Sequence, residues 1–94
     1  MALKVIISKN VLWRDAGSEL VLFDDRTARY YALNEIGSQV WRGIAAGSDL
    51  GDLTAALAGV YQAPHDVIAQ DVNAFVTNAL ALNLLTEQHK GLEG

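Results

Sequence analysis

The chain has 94 residues, of which 51% are hydrophobic, and its formal net charge at pH 7 is -4. This length accommodates one domain with one core, because domains commonly contain about 100 to 150 residues. The absence of cysteine excludes disulfides, and the acidic charge disfavours a polyanionic partner. No apolar run reaches the roughly 20 residues of a membrane span and residues 1–10 do not form a signal peptide, so we expect a cytoplasmic location without membrane contact.

The first third of the chain predicts short antiparallel strands. Residues that favour strands occupy Val11–Arg14 and Glu19–Asp24, and the turn-rich segment 15–18 between them indicates a hairpin. After a second break, the paired tyrosines of Arg29–Leu33 favour a third strand. The residues leave open whether Val5–Ile7 extends this sheet or packs as a separate arm.

The hydrophobic pattern then changes to helical spacing. Asn34 is a predicted N-cap of the first helix, Gly47 ends that helix, and Ser48 or Asp49 caps the second. Pro64 opens the third helix, which we expect to continue to about residues 84–85. The apolar stripes predicted to face the core are Ile36, Val40, Trp41 and Ile44, then Leu50, Leu53, Leu57 and Val60, then Ile68, Val72, Phe75, Ala79 and Leu82.

Three strands followed by three helices predict the fold class. We expect an α+β domain of winged-helix-like type, with a three-stranded antiparallel sheet followed by three helices. This single domain should occupy residues 1–85. Residues 86–94 are polar and show no periodicity, which predicts a flexible C-terminal tail.

The sequence lacks the groupings that catalysis requires, namely a nucleophile with a base, two convergent carboxylates, or clustered metal ligands. His65 and His89 lie far apart, with no cysteine or clustered acids near them. The acid pairs at 24–25 and at Asp49 with Asp52 occur at a turn and at a helix start, where they serve as turn formers and caps. We therefore predict no enzymatic activity, no catalytic residue, no metal and no cofactor.

The predicted order of strands and helices also makes DNA binding a candidate function. Winged-helix domains that bind DNA place a helix in the major groove and neutralise phosphates with Lys and Arg. No Lys or Arg occurs between Gly43 and His89, whereas Asp66 and Asp71 would face the phosphates. This distribution disfavours nucleic acid as a partner. The alternative function is that of a winged-helix regulatory or structural domain that contacts another protein through a helix face.

A resemblance to a known family is carried by residues 29–41, which read R-Y-Y-A-L-N-E-I-G-S-Q-V-W. With V-L-F-D-D-R-T-A-R-Y before it and D-V-N-A-F-V at 71–76, followed by A-L-N-L-L, this segment resembles the PqqD-like family, the RiPP recognition elements. The resemblance implies a domain without activity that binds the leader peptide of a ribosomally synthesised precursor. The leader adds as a strand to the third strand, against the third helix, and is delivered to a maturation enzyme such as a leader protease or a radical enzyme.

Strand addition is also favoured on physical grounds, because an edge strand offers unpaired backbone groups to an extended peptide. The same open edge allows self-pairing, so we expect a monomer or a weak dimer. The predicted peptide-binding residues are Arg29, Tyr30, Tyr31, Ala32 and Leu33 on the strand, and Val67, Asp71, Ala74, Phe75 and Asn78 on the helix. For some of these residues the sequence leaves a second interpretation open. Tyr30, Tyr31 and Phe75 could instead lie in the core, and Asp71 and Arg29 could instead be solvent-exposed without contacting a peptide.

The form R-Y-Y-A-L-N differs from the shorter aliphatic version typical of the founding quinone-biosynthesis members of the family. It is similar to the form in stand-alone members, and this favours a lasso-peptide pathway. Of the two tryptophans, Trp41 is predicted to lie in the core, whereas Trp13 is a candidate surface contact.

Overall fold

The computed structural model describes residues 3–17 and 19–89. None of the described helices combines the length and hydropathy that a membrane span requires. In chain order, the elements are β1 (Leu3–Ile7), β2 (Val11–Ala16), β3 (Glu19–Asp24), β4 (Arg29–Leu33), α1 (Glu35–Ala45), α2 (Leu50–Tyr61), α3 (His65–Ala81) and β5 (Leu85–His89).

The main sheet is antiparallel, with strand order β2-β3-β4. The first connection turns at Gly17, whose φ of 79° lies in the left-handed region that glycine adopts without strain. β4 begins and ends at the residues predicted for the third strand. Together with three helices, this sheet confirms the α+β, winged-helix-like fold class predicted from the sequence.

β1 and β5 form a second, two-stranded antiparallel sheet, which answers the question that the sequence left open about residues 5–7. The prediction of a flexible tail from residue 86 is wrong for 86–89, because these residues belong to β5. Ser8 holds the start of that strand through its backbone N–H, which donates to the Leu84 carbonyl at 3.1 Å, and through its hydroxyl, 2.7 Å from that of Thr86. Residues 90–94 lie outside the described residues.

α3 ends at Ala81, earlier than the predicted limit of 84–85. Asn83 adopts a φ of 61°, and its N–H donates to the Leu80 carbonyl at 3.0 Å while the Leu84 N–H donates to the Ala79 carbonyl at 2.9 Å. This pair of bonds is the Schellman arrangement, which uses asparagine less often than glycine. The sequence therefore carries no glycine to indicate where α3 ends, and the predicted end was too late.

α1 packs on one face of the main sheet, and the core that the helices form with this face buries Trp41, as predicted, together with Val40, Leu20 and Leu22. The predicted stripe of α2 is wrong at its last residue, because the Val60 side chain is 72% exposed. Tyr61, four positions after Leu57, packs against the core instead. One helical turn advances 3.6 residues, and position 61 therefore continues the buried line more closely than position 60.

Asp24 is fully buried where β3 turns into β4. Its Oδ1 accepts hydrogen bonds from the Asn10 side-chain amide at 2.8 Å and from the Arg26 backbone N–H at 3.0 Å. The bond from Asn10 is the main reason that the pKa of Asp24 lies below its ordinary value of 3.8, even though burial opposes this shift. The charged carboxylate thus joins the β1–β2 loop to the turn that precedes β4.

This arrangement predicts an acid-sensitive hairpin. Because the pKa of Asp24 is lower in the folded than in the unfolded state, its stabilisation is complete above the unfolded pKa and is lost as the pH falls through the folded pKa. We expect the urea midpoint of the wild-type chain to fall more steeply below about pH 4 than that of Asp24→Asn. Asp25→Asn, at the exposed neighbour, is the control and should retain the wild-type slope.

Candidate functional site

β4 is an edge strand of the main sheet, so one side of its backbone has no partner strand among the described residues. Its side chains alternate between two faces. Tyr31 and Leu33 pack against the core, whereas Tyr30 and Ala32 are exposed on the face that the helices leave uncovered. The structure therefore assigns the two tyrosines to opposite faces, an alternative that the sequence left open.

A buried hydroxyl reveals which backbone groups of β4 point outward. The Leu20 N–H donates to Ser38 Oγ at 2.9 Å, and the Ser38 hydroxyl donates to the Leu33 carbonyl at 3.2 Å. Leu20 and Leu33 are register partners, and the bridge requires their backbone groups to face each other. Facing pairs alternate along an antiparallel ladder, so the N–H and C=O groups of Tyr30 and Ala32 point away from β3.

A groove runs along this open edge, between β4, the start of α1 and α3. It consists of two adjoining cavities of about 460 and about 710 Å³. Asn34, Gly37, Phe75 and Asn78 line both cavities and connect them. The first cavity is also lined by Tyr30, Tyr31, Ala32, Leu33, Ala79, Leu82 and Leu84, and the second by Glu35, Ile36, Asp71 and Ala74.

The junction of the two cavities is shaped by the first turn of α1. Asn34 is the N-cap, as predicted, and its side-chain oxygen accepts the Gly37 N–H at 2.8 Å. The half-buried Phe75 ring lies against Gly37, where a Cβ would come within 3.3 Å of the ring. Glycine at this position lets α3 approach α1 closely, so the Phe75 ring forms the floor between the cavities.

Most of the predicted site residues meet in this groove, but Arg29 and Val67 line neither cavity. Arg29 begins β4 at the end remote from α1, and Val67 lies in the first turn of α3, before the groove starts. Asn34 and Gly37 line both cavities but were not predicted as site residues, because the sequence indicates only a helix cap at Asn34 and no role for Gly37. The other lining residues that were not predicted are Glu35 and Ile36 in the first turn of α1, and Ala79, Leu82 and Leu84 at and after the end of α3.

The groove carries negative charge at one end. Glu35 and Asp71 line the second cavity, and no Lys or Arg lines either cavity. Phosphate groups would meet carboxylates here, which argues against a nucleic acid in the groove. Among the described residues, no three His, Asp or Glu side chains are grouped in a way that could hold a metal ion.

The opposite edge of the main sheet differs in chemistry. β2 carries the charged residues Arg14 and Asp15 near its end, and Asp15 forms an ion pair with Arg42 of α1. Charged side chains discourage the pairing of further strands at a sheet edge. β4 carries no charged residue after Arg29, and the groove lies beside it, so it is the edge better suited to an apolar peptide strand.

Residues 19–85 match the model of the family described as coenzyme PQQ synthesis protein D (PqqD). The chain belongs to the PqqD family. This membership confirms the resemblance inferred from residues 29–41. No curated protein sequence matches the chain.

Two solved structures share the fold of this PqqD-family chain. TbiB1 in complex with the TbiA(beta) leader peptide is 22% identical, with a TM-score of 0.81, and the match covers 95% of this chain and 99% of that one. A lasso peptide synthetase B1 complexed with the leader peptide is 18% identical, with a TM-score of 0.82, and the match covers 88% and 98%. At these identities the likeness concerns the fold.

We expect Ser38→Ala to destabilise this PqqD-family domain, because it leaves the buried Leu20 N–H and Leu33 C=O without their shared partner. An unsatisfied buried polar group costs about 1 to 3 kcal/mol, and the loss should appear in urea denaturation. Ser48→Ala removes the same hydroxyl from an exposed loop and should change stability by no more than about 0.5 kcal/mol. Equal effects of the two substitutions would contradict the bridging role.

Proposed function

We propose that this domain binds the leader peptide of a ribosomally synthesised precursor by strand addition to β4, with the leader lying in the groove against α3. The observation that carries the proposal is the outward-facing N–H and C=O groups of Tyr30 and Ala32, beside an open groove. Backbone bonds supply affinity in strand addition, and pockets for alternate side chains supply specificity. The edge and the groove together offer both.

The comparisons support the same function. Both structural relatives are described in complex with leader peptides, and the fold match extends over nearly the whole of each. A common fold brings the corresponding strand edge and helix next to each other. One of these relatives is a lasso peptide synthetase component, which agrees with the R-Y-Y-A-L-N form of residues 29–34, so we assign the chain to a lasso-type pathway in preference to quinone biosynthesis.

In this role the domain is not an enzyme. It presents the bound precursor to a maturation enzyme, a leader protease or a radical enzyme, and uses no cofactor. It acts in the cytoplasm as a monomer or weak dimer, and the acidic groove favours a peptide over a nucleic acid. Arg29 and Val67 then contribute only if the leader extends beyond the groove.

Proline substitution tests strand addition, because proline removes one N–H and is tolerated at sheet edges. Tyr30→Pro and Ala32→Pro remove outward N–H groups, so we expect near-native melting and a loss of leader affinity. Tyr31→Pro removes a donor that faces β3 and should lower the melting temperature. Fluorescence anisotropy with the leaders of the short precursor peptides encoded beside the gene measures affinity, which should be micromolar or tighter in the wild type, about -8 kcal/mol.

Tyr30→Val and Ala32→Val are the matched controls, because valine has a similar volume and retains the N–H. Folded proline variants that bind leader as tightly as their valine counterparts would exclude pairing with β4. Failure of every such leader to bind the wild-type chain would exclude leader recognition altogether.

The α3 side of the groove gives a second test. Asp71 and Asn78 are exposed and line the groove, so Asp71→Ala and Asn78→Ala should weaken leader binding without lowering the melting temperature. Side chains that anchor a ligand cost about 1 to 2 kcal/mol or more on truncation. Gln70→Ala, on the same helix but outside both cavities, should leave affinity unchanged. Unchanged affinity in all three variants would place the leader off this helix face.

A further inference from the structure

The open face of the main sheet is apolar where an antiparallel sheet that faces water usually carries polar residues. Leu12, Phe23 and Tyr30 are register partners and form one row across β2, β3 and β4. Leu12 is 60% exposed and Tyr30 is 72% exposed. The next row on this face contains Arg14, Val21 and Ala32. No element of the described part of the chain packs on these rows.

The row is concave and ends at the β4 edge. A shallow cavity of about 370 Å³ is lined by Leu12, Trp13, Arg14, Val21, Phe23 and Tyr30. The Phe23 and Tyr30 rings lie with their centroids 4.8 Å apart at a tilt of 43°, and we call this pair the aromatic shelf. The Phe23 ring thus lies beside Tyr30, which remains largely exposed at the edge strand.

A strand added to β4 would continue both faces of the sheet. Side chains directly opposite each other on neighbouring strands point to the same face, with Cβ atoms about 4.5 to 5.5 Å apart. A peptide residue opposite Tyr30 therefore places its side chain beside the aromatic shelf. The residues opposite Tyr31 and Leu33 place theirs in the groove against α3.

We infer that the aromatic shelf is a second specificity surface for the bound peptide. The inference rests on the proposed strand addition and names the class of peptide: adjacent residues are both apolar, one held in the groove and the next stacked on Tyr30. An amphipathic strand, with apolar residues only at every second position, would fill the groove and leave the shelf exposed. Apolar contact on both faces distinguishes this ligand from an ordinary edge strand.

Selection from a display library of random 12-residue peptides tests the inference without knowledge of the natural leader. Peptides selected on the wild-type chain should share a motif with apolar residues at adjacent positions. Tyr30→Thr keeps a residue that favours strands. On this variant the motif should lose its apolar preference at the positions that face the aromatic shelf and keep it at the alternate positions that face the groove. Leu12→Thr, at the far end of the same row, is the control and should select the wild-type motif.

Affinity measurements complete the test. A peptide with the wild-type motif should bind Tyr30→Thr at least about tenfold more weakly, since truncation of an anchoring aromatic commonly costs this much. Tyr30→Phe retains the ring and should bind within about twofold of the wild type. Thermal melting of each variant separates these effects from unfolding.

Two outcomes would overturn the aromatic shelf alone. One is a wild-type motif with apolar residues only at every second position. The other is an unchanged motif on Tyr30→Thr. A dimer in sedimentation analysis that Leu12→Thr dissociates would then show that the open face serves self-association. By contrast, selected peptides that bind Ala32→Pro as tightly as Ala32→Val would exclude strand addition itself, and with it the function on which the shelf depends.

Discussion

The buried hydroxyl of Ser38 joins α1 to the hairpin of β3 and β4, and the candidate site depends on this junction. The hydroxyl accepts from Leu20 and donates to Leu33, so it satisfies both backbone groups at the point where the ladder ends and the helix begins. The pairing of β3 with β4 determines which residues of β4 turn their N–H and C=O groups outward, and the bridge closes that pairing at its end. A helix side chain therefore satisfies the last backbone groups between β3 and β4, next to the edge that a peptide strand would meet.

The two edge strands of the main sheet, β2 and β4, differ in the charge and polarity of their side chains. Arg14 and Asp15 place charges near one end of the β2 edge, and the ion pair of Asp15 with Arg42 joins that end to α1. Tyr31 and Leu33 make the inner side of β4 apolar, and Phe75 supplies the floor of the groove beside it. A small domain buries a modest fraction of its surface, and a ligand that binds only the folded state adds stability. An added strand would therefore complete the core as well as occupy the site.

Local features were predictable because they depend on neighbouring residues. The tyrosine pair and the following Asn34 indicated the limits of β4 and the start of α1. The four-residue spacing of Ile36, Val40 and Ile44 predicted the buried face of α1, with Trp41 beside it. The groove was only partly predictable. Phe75 and Asn78 follow from helical spacing on α3. Leu82 and Leu84 line the groove because the chain turns at Asn83, and an asparagine in the left-handed conformation indicates a helix end less clearly than a glycine does.

The sequence by itself determined the fold class and the family, and it predicted the strand of residues 29–33 and the helix that begins after Pro64. Only the tertiary structure decided that Tyr30 faces the open side and Tyr31 the core, because a strand's alternation fixes relative and not absolute orientation. It also decided that residues 85–89 form a strand. Their partner strand, β1, is about 80 residues away in the sequence. Pairing between such distant segments depends on the helices that bring them together, and a local sequence pattern does not predict it.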